Sequence, residues 1–352
     1  MDAEVVREWF DRRAAESLFS GAVLVWREGR PVFEHAAGLA HRGFRVPATT
    51  RTRFGVASVT KLVTALTALR LVDRGVLRLD QPLTEVLAPE HQPRALTAEH
   101  TLHHLLSHTS GLSNYHDDDD TTWASYTSCW DRIPAYHVRG PADLLPLFAD
   151  LPAVSPPGAV YQYSDANFIL VGLAVEAATG RSFADVATAE VLVTAGMTDS
   201  AFDERDLEPE RLATGYLVTD EPAEKWRSNL YSVPGGRMPD GGLITTPPDL
   251  ARLLDALAGG HLLSSRLTTA MTTPQGPPSD RLEQYGYGCQ LVVEDGEVTI
   301  IGHSGADPGV AALVSRYQAA STTVVVLCNQ DRGAFPATQY LAREFGLRDP
   351  RA

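Results

Sequence analysis

The stretch FGVASVTKLVTALTALRLVDRG, residues 54–75, begins like a strand and becomes an apolar helix. Val59, Leu62, Val63, Leu66, Leu69 and Val72 recur at helical spacing, which predicts a helix over 58–74 with one core-facing stripe. Gly75 follows the last of them, as a helix C-cap does. At the mouth of this helix stand Ser58 and, three residues on, Lys61, both on one face. Two readings are open. In one, Ser58 caps the helix and Lys61 is a solvated charge. In the other, the pair is a nucleophile with its base. A serine hydroxyl attacks poorly until a base takes its proton. Burial and the positive end of a helix can lower a lysine's pKa enough to serve. The backbone N–H groups there can hold an oxyanion.

Outward from this helix, strands are expected at both ends of the chain and helices between them. Residues 2–19 read as a helix, and SGAVLVWREGRPVFEHAAG (20–38) as a β-hairpin about Glu28-Gly29-Arg30. From about 80 to 240, Pro and Gly interrupt helical stretches: LTAEHTLHHLLSHTSGL (96–112), a short helix running into a loop, and ANFILVGLAVEAATG (166–180). PDLARLLDALAGG (248–260) is a further helix. YGCQLVVEDGEVTIIGH (287–303) alternates about Asp295-Gly296, a hairpin signal. STTVVVLCN (321–329) is a β-branched run fit for a buried strand, and 334–346 a last helix. The expected fold is α/β (α+β): an antiparallel sheet from both termini, flanked by helices, with an inserted all-α region. The expected boundaries are 1–80 with 241–352 for the sheet domain and 81–240 for the helical insertion.

Composition narrows the function classes. The 352 residues suffice for one large or two medium domains, and no run of about 18 apolar residues suggests a membrane span. A formal net charge of −14 disfavours nucleic acid and anionic membranes as partners. Cys129, Cys289 and Cys328 are too few and too scattered for a disulfide framework. The N-terminus MDAEVVREWFDRRAAESLF is charged and amphipathic, without the apolar core of a secretory signal. A cytoplasmic protein is therefore expected. Oligomeric state has no signature in the sequence.

Two further stretches carry chemistry. In SPPGAVYQYSDANFILVG (155–172), Tyr163, Ser164 and Asp165 precede a helix. A tyrosine beside an ammonium can shuttle protons, although a packed ring followed by a capping aspartate explains the same residues. IIGHSGADPG (300–309) follows a strand and is glycine-rich, so it can lie along a substrate or merely close a hairpin. His104 and His108, with His100, His103 and His116 nearby, have spacing that can bind zinc. The alternative is that His108 belongs to a structural turn, and no cofactor is expected.

Taken together and in this order, the three stretches resemble the serine β-lactamase and penicillin-recognising superfamily, most of all its class C branch with the related DD-peptidases and esterases. Ser58-Val59-Thr60-Lys61 looks like the family's S-x-x-K, Tyr163-Ser164-Asp165 falls at its Y-x-N, and His303-Ser304-Gly305 at its K-T-G. LLSHTSGL (105–112), SPPG (155–158), AGMTDSAF (195–202) and GGLITTPPDLARL (241–253) are similar too, so the resemblance spans roughly residues 10–340.

The resemblance implies a serine hydrolase working through an acyl-serine. Ser58 would be acylated, and Lys61 and Tyr163 would share the general-base and general-acid work. The N–H groups of Ser58 and Ala306 would form the oxyanion hole. His303, Ser304 and Gly305 would line the strand edge, with His303 and Ser304 bonding Tyr163 or substrate. Two departures weigh on the substrate. The third residue of Y-x-N donates an amide N–H to the acyl-side carbonyl in the family, which an ionised Asp165 cannot do. Asp165 can instead pair with Lys61. A neutral His303 carries no fixed charge for a carboxylate. Small ester, amide or peptide substrates, including D-aminoacyl ones, are therefore expected ahead of β-lactams, and DD-carboxypeptidase action is less expected without an export signal. Acyl transfer to an amine or alcohol, or a ligand-binding homologue without turnover, would use the same residues. The acidic run Asp117–Asp120 is either a solvated loop or a rim favouring cationic substrates.

Overall fold

A computed structural model describes residues 2–117, 120, 122–219 and 225–351. Seven strands form one antiparallel sheet: β1 (Gly21–Arg27), β2 (Arg30–Ala37), β3 (Glu283–Tyr285), β4 (Gln290–Glu294), β5 (Glu297–Asp307), β6 (Val310–Tyr317) and β7 (Thr322–Cys328). Their spatial order is β2-β1-β7-β6-β5-β4-β3. The sheet thus closes the two ends of the chain on each other, with Val23 opposite Val326. Glu28 and Gly29 join β1 to β2 with φ of 51° and 75°, and Asp295 and Gly296 join β4 to β5 with φ of 50° and 82°. Two positive φ values in a two-residue loop match the right-handed twist of the strands they connect.

Five helices matter for the site: α1 (Ala3–Ala15), α2 (Thr60–Asp73), α3 (Asp165–Thr179), α4 (Pro247–Ala258) and α5 (Ala334–Glu344). Alternate residues of β1 serve two cores. Val23 and Val25 pack with Phe10 of α1 and Leu341 of α5. Ala22 and Leu24 face the other way, into a core shared with Leu66 of α2, Phe168 of α3 and Leu254 of α4. β7 lies between both layers and is buried at all seven positions, which is why its sequence is a run of β-branched and apolar residues rather than an alternation with charged ones.

The helix over 58–74 begins later than its apolar pattern suggests. Ala57–Val59 form a 3-10 turn, and α2 starts at Thr60. It ends as expected: Gly75 has φ 71°, its N–H bonds the Val72 carbonyl, and Val76 N–H bonds that of Leu71. Instead of one buried stripe, α2 is buried all round, Thr60 to Leu69 without exception. It packs against α3 and also against β5, so no face of its first ten residues reaches water.

Within 81–240, short helices Leu102–Leu106, Ala124–Arg132 and Phe183–Ala187 accompany α3. The helix expected in 96–112 is confined to five residues, because His108 adopts φ 56° and turns the chain. Tyr216–Thr219 and Lys225–Ser228 pair as a hairpin that no sequence pattern announced. Among the described residues no helix is long and apolar enough to cross a membrane. The three cysteines are free and buried.

Candidate active site

Ser58 sits in the 3-10 turn immediately after Ala57, whose φ of 46° is unusual for a residue with a side chain. Its hydroxyl does not cap α2, so the capping reading fails. Lys61 is fully buried. Its Nζ donates to Ser58 Oγ at 2.8 Å, to the Asp240 carbonyl at 3.1 Å and to the Asp165 carboxylate. Three acceptors match the three N–H donors of an ammonium. The Tyr163 ring lies 5.0 Å from Nζ and that of Phe168 5.6 Å, closing the pocket around the charge.

Asp165 is the first residue of α3, and both of its carboxylate oxygens are committed to the protein. One takes the Lys61 ammonium, and the other is 2.8 Å from His116 Nε2. Burial raises the Asp165 carboxyl, but the Lys61 charge and the His116 hydrogen bond outweigh it and hold the group well below the usual carboxylate range. Asp165 is thus a counter-ion to Lys61. His116 carries no motif of its own in the sequence.

The strand edge is built by a gap in pairing. β4 pairs with β5 as far as Gly302, so from His303 onward that edge of β5 is open. Gln290 fills the first position with its side chain: Oε1 accepts Ser304 N–H at 2.9 Å, and Nε2 donates to Ser304 Oγ at 3.0 Å. Alternate N–H groups point to the same edge, so Ala306 N–H lies on the open edge beside the cleft, a geometry that suits an oxyanion donor.

Gly305 lets this edge approach the Ser58 turn. A Cβ there would lie 2.1 Å from the Val56 carbonyl oxygen and 3.1 Å from both Ser58 N and Val59 N. Gly305 is therefore a spacer and does not line the cleft. Gly305→Ala is expected to push β5 off the Ser58 turn and lower kcat by about 100-fold. Stopped-flow acylation rates and thermal unfolding check this, and near-normal acylation would contradict the assignment.

His303 departs from expectation. Its hydrogen bonds go to the protein wall: its Nδ1 donates to the Ser304 carbonyl at 2.5 Å, and its Nε2 accepts from Tyr285 at 2.9 Å, while its ring lies 6.4 Å from that of Tyr163. Burial, and next the Lys61 charge, push its pKa down to about 3, so the ring is neutral and supports the wall of the site.

These elements line a cleft of about 1020 Å³ holding Ser58, Tyr163, Asp165, Ser304 and Ala306. Tyr115, Arg205, Asp240 and Asp307 line it too, and sequence reasoning singled out none of them. Asp307 stood within the quoted ADPG, whereas Arg205 and Asp240 come from loops without a motif. Burial and the nearby Asp165 charge raise Asp240 to about 6, and Tyr115 donates to its Oδ2 at 2.8 Å.

The histidine group disperses. His100 and His104 bond Thr97 and Thr101, His103 bonds Tyr287, and His108 Nδ1 accepts the Ser164 N–H, bracing the tyrosine loop. Among the described residues no group of three or more His, Cys, Asp or Glu is placed to hold a metal ion. Of the acidic run, Asp118 and Asp119 lie outside the described residues. Asp117 and Asp120 line the cleft, but Asp120 accepts from the N–H groups of Thr122 and Ser125 and anchors the helix Ala124–Arg132.

The family model described as Beta-lactamase matches residues 6–346. Penicillin-binding protein 4* of Bacillus subtilis (strain 168) is 27% identical over 331 residues, covering 92% of this chain and 70% of that protein. Esterase EstB of Burkholderia gladioli is 39% identical over 216 residues, 59% of this chain and 53% of the esterase. The crystal structure of a penicillin binding protein from Bacillus halodurans superposes with a TM-score of 0.88 at 34% identity, covering 98% of this chain and all of that one.

Proposed function

This chain belongs to the beta-lactamase family, and from that premise we propose that it hydrolyses esters and amides of small acyl or D-aminoacyl groups through an acyl-Ser58 intermediate. The observation that carries this reading is the Lys61–Ser58 hydrogen bond of 2.8 Å beside an open strand edge. Lys61 donates to Ser58 Oγ, so the hydroxyl proton leaves toward another acceptor. Tyr163, in the cleft and beside the ammonium, is the group suited to take it, because a neighbouring positive charge stabilises a phenolate. The tetrahedral oxyanion then sits between the N–H groups of Ser58 and Ala306. Tyr163 returns the proton to the leaving group, and water enters by the reverse path to release the acid.

Asp165 shapes the substrate range. With one oxygen on Lys61 and the other on His116, it offers a substrate carbonyl no donor. Esters and amides that do not depend on an acyl-side amide donor suit this site better than β-lactams. The test is intact mass after a fluorophosphonate probe, with a panel of p-nitrophenyl esters, D-aminoacyl amides and nitrocefin. One adduct, absent in Ser58→Ala, with esters turned over faster than nitrocefin, is expected. No adduct on folded protein would sink the reading.

A further inference from the structure

The cleft holds charged groups that the reaction does not use. Asp307 ends β5, one residue beyond the oxyanion donor Ala306. Side chains two apart on a strand share a face. Asp307 therefore projects on the face where Gly305 lies against the Ser58 turn. Its carboxyl lines the cleft, yet among the described residues it has no hydrogen-bond or ion-pair partner. Asp331 Oδ1 is also buried without a partner in the same lining. The Asp307 side chain is part-exposed at the cleft, whereas a buried oxygen without a partner, such as Asp331 Oδ1, is rare because its desolvation goes uncompensated.

Among the cations, Arg205 acts most on Asp307 and Arg332 on Asp331, but neither bonds the carboxyl it faces. The acidic neighbours of Arg205 are taken elsewhere: Asp203 by Arg53 at 3.0 Å, Glu204 by Arg139 at 3.0 Å and Asp206 by Arg139 at 2.6 Å. Asp117, Asp120, Asp165, Asp240, Asp307 and Asp331 line the cleft against Arg205 and Arg332, so the wall is predominantly acidic. That balance favours a cation over an anion as the missing partner.

We propose that Asp307 anchors an ammonium group of the substrate, carried next to the scissile carbonyl, as in an α-aminoacyl ester or amide. The proposal rests on the hydrolase reading above and names its substrate class. The position fits the chemistry: Asp307 directly follows the residue whose N–H holds the carbonyl oxygen, and an α-amine is one carbon from that carbonyl. The groups facing Asp307 are Arg205, Asp165, Asp240, Lys61 and Tyr126. Burial raises the Asp307 carboxyl to about 7; the Arg205 charge opposes this, and the Asp165 and Asp240 charges add to it. A bound ammonium favours the ionised form, so amine binding strengthens as pH rises through 7. It weakens again near about pH 8 as a substrate α-amine loses its proton.

The experiment uses D-alaninamide and propionamide as competitors of p-nitrophenyl butyrate hydrolysis between pH 5.5 and 9. In the wild-type protein D-alaninamide is expected to bind roughly tenfold more tightly than propionamide near pH 7.5. Its inhibition constant should follow the pH course above while that of propionamide stays flat. The preference should vanish in Asp307→Asn and survive in part in Asp307→Glu. Equal constants in the wild type at every pH would overturn the proposal without any variant. So would a preference that persists in Asp307→Asn, or one lost only in Arg205→Gln. Absence of butyrate hydrolysis would instead strike the hydrolase reading, which keeps the two failures separate.

Discussion

Ser58→Ala is expected to lower kcat/KM for p-nitrophenyl butyrate on the order of 10⁴-fold or more, leaving only what the oxyanion hole and binding supply. The fold should hardly notice. Lys61 keeps two of its three acceptors, Asp165 and the Asp240 carbonyl, and the 3-10 turn is set by the backbone rather than by the hydroxyl. Steady-state kinetics paired with urea unfolding reads both quantities. A variant within tenfold of wild type would remove Ser58 from the chemistry. One that lost activity only because it unfolded would show the loss in the urea midpoint.

Lys61→Met should damage stability and activity together. The Asp165 carboxylate would remain buried with its hydrogen bond to His116 but without the ammonium, which costs about 3–5 kcal/mol for a buried pair that loses one member. The pH dependence identifies the cause. In the wild type the folded carboxyl sits below its unfolded value, so its stabilisation is complete above about pH 4 and is lost as pH falls through the folded pKa. Without the ammonium, burial raises the carboxyl instead, so protonation at mildly acid pH relieves the strain. The deficit of Lys61→Met against wild type should therefore be largest near pH 8 and shrink toward pH 5. Adding Asp165→Leu should restore much of the stability and none of the acylation. A single variant as stable as wild type at pH 8 would contradict a buried ion pair at the centre of the site.

Much of this molecule is legible in the chain, for reasons local to each stretch. Glu28-Gly29 and Asp295-Gly296 fix hairpins because so few residues tolerate positive φ. The run at 322–328 has only apolar and β-branched side chains because both faces of β7 are covered. Spacing put Ser58 and Lys61 on one face, since residues three apart in a helical turn share one, and the tyrosine and glycine-rich stretches then favoured a nucleophile with its base. By contrast, 203–240 has no periodicity, so neither the hairpin at 216–228 nor the placement of Arg205 and Asp240 could be read there.

The sequence by itself determined the layout: an antiparallel sheet drawn from both termini, helices between, and a serine, a lysine and a tyrosine in family order. Those features are written in periodicity, turn chemistry and short spacings, which act within a few residues of chain. Only the tertiary structure decided what each charge faces. Asp165 meets Lys61 and His116 across 104 and 49 residues of chain, His303 turns to Tyr285, and Asp307 lines the cleft. Burial and charge act through space rather than along the chain, so the residues that set the site's electrostatics carry no local signature.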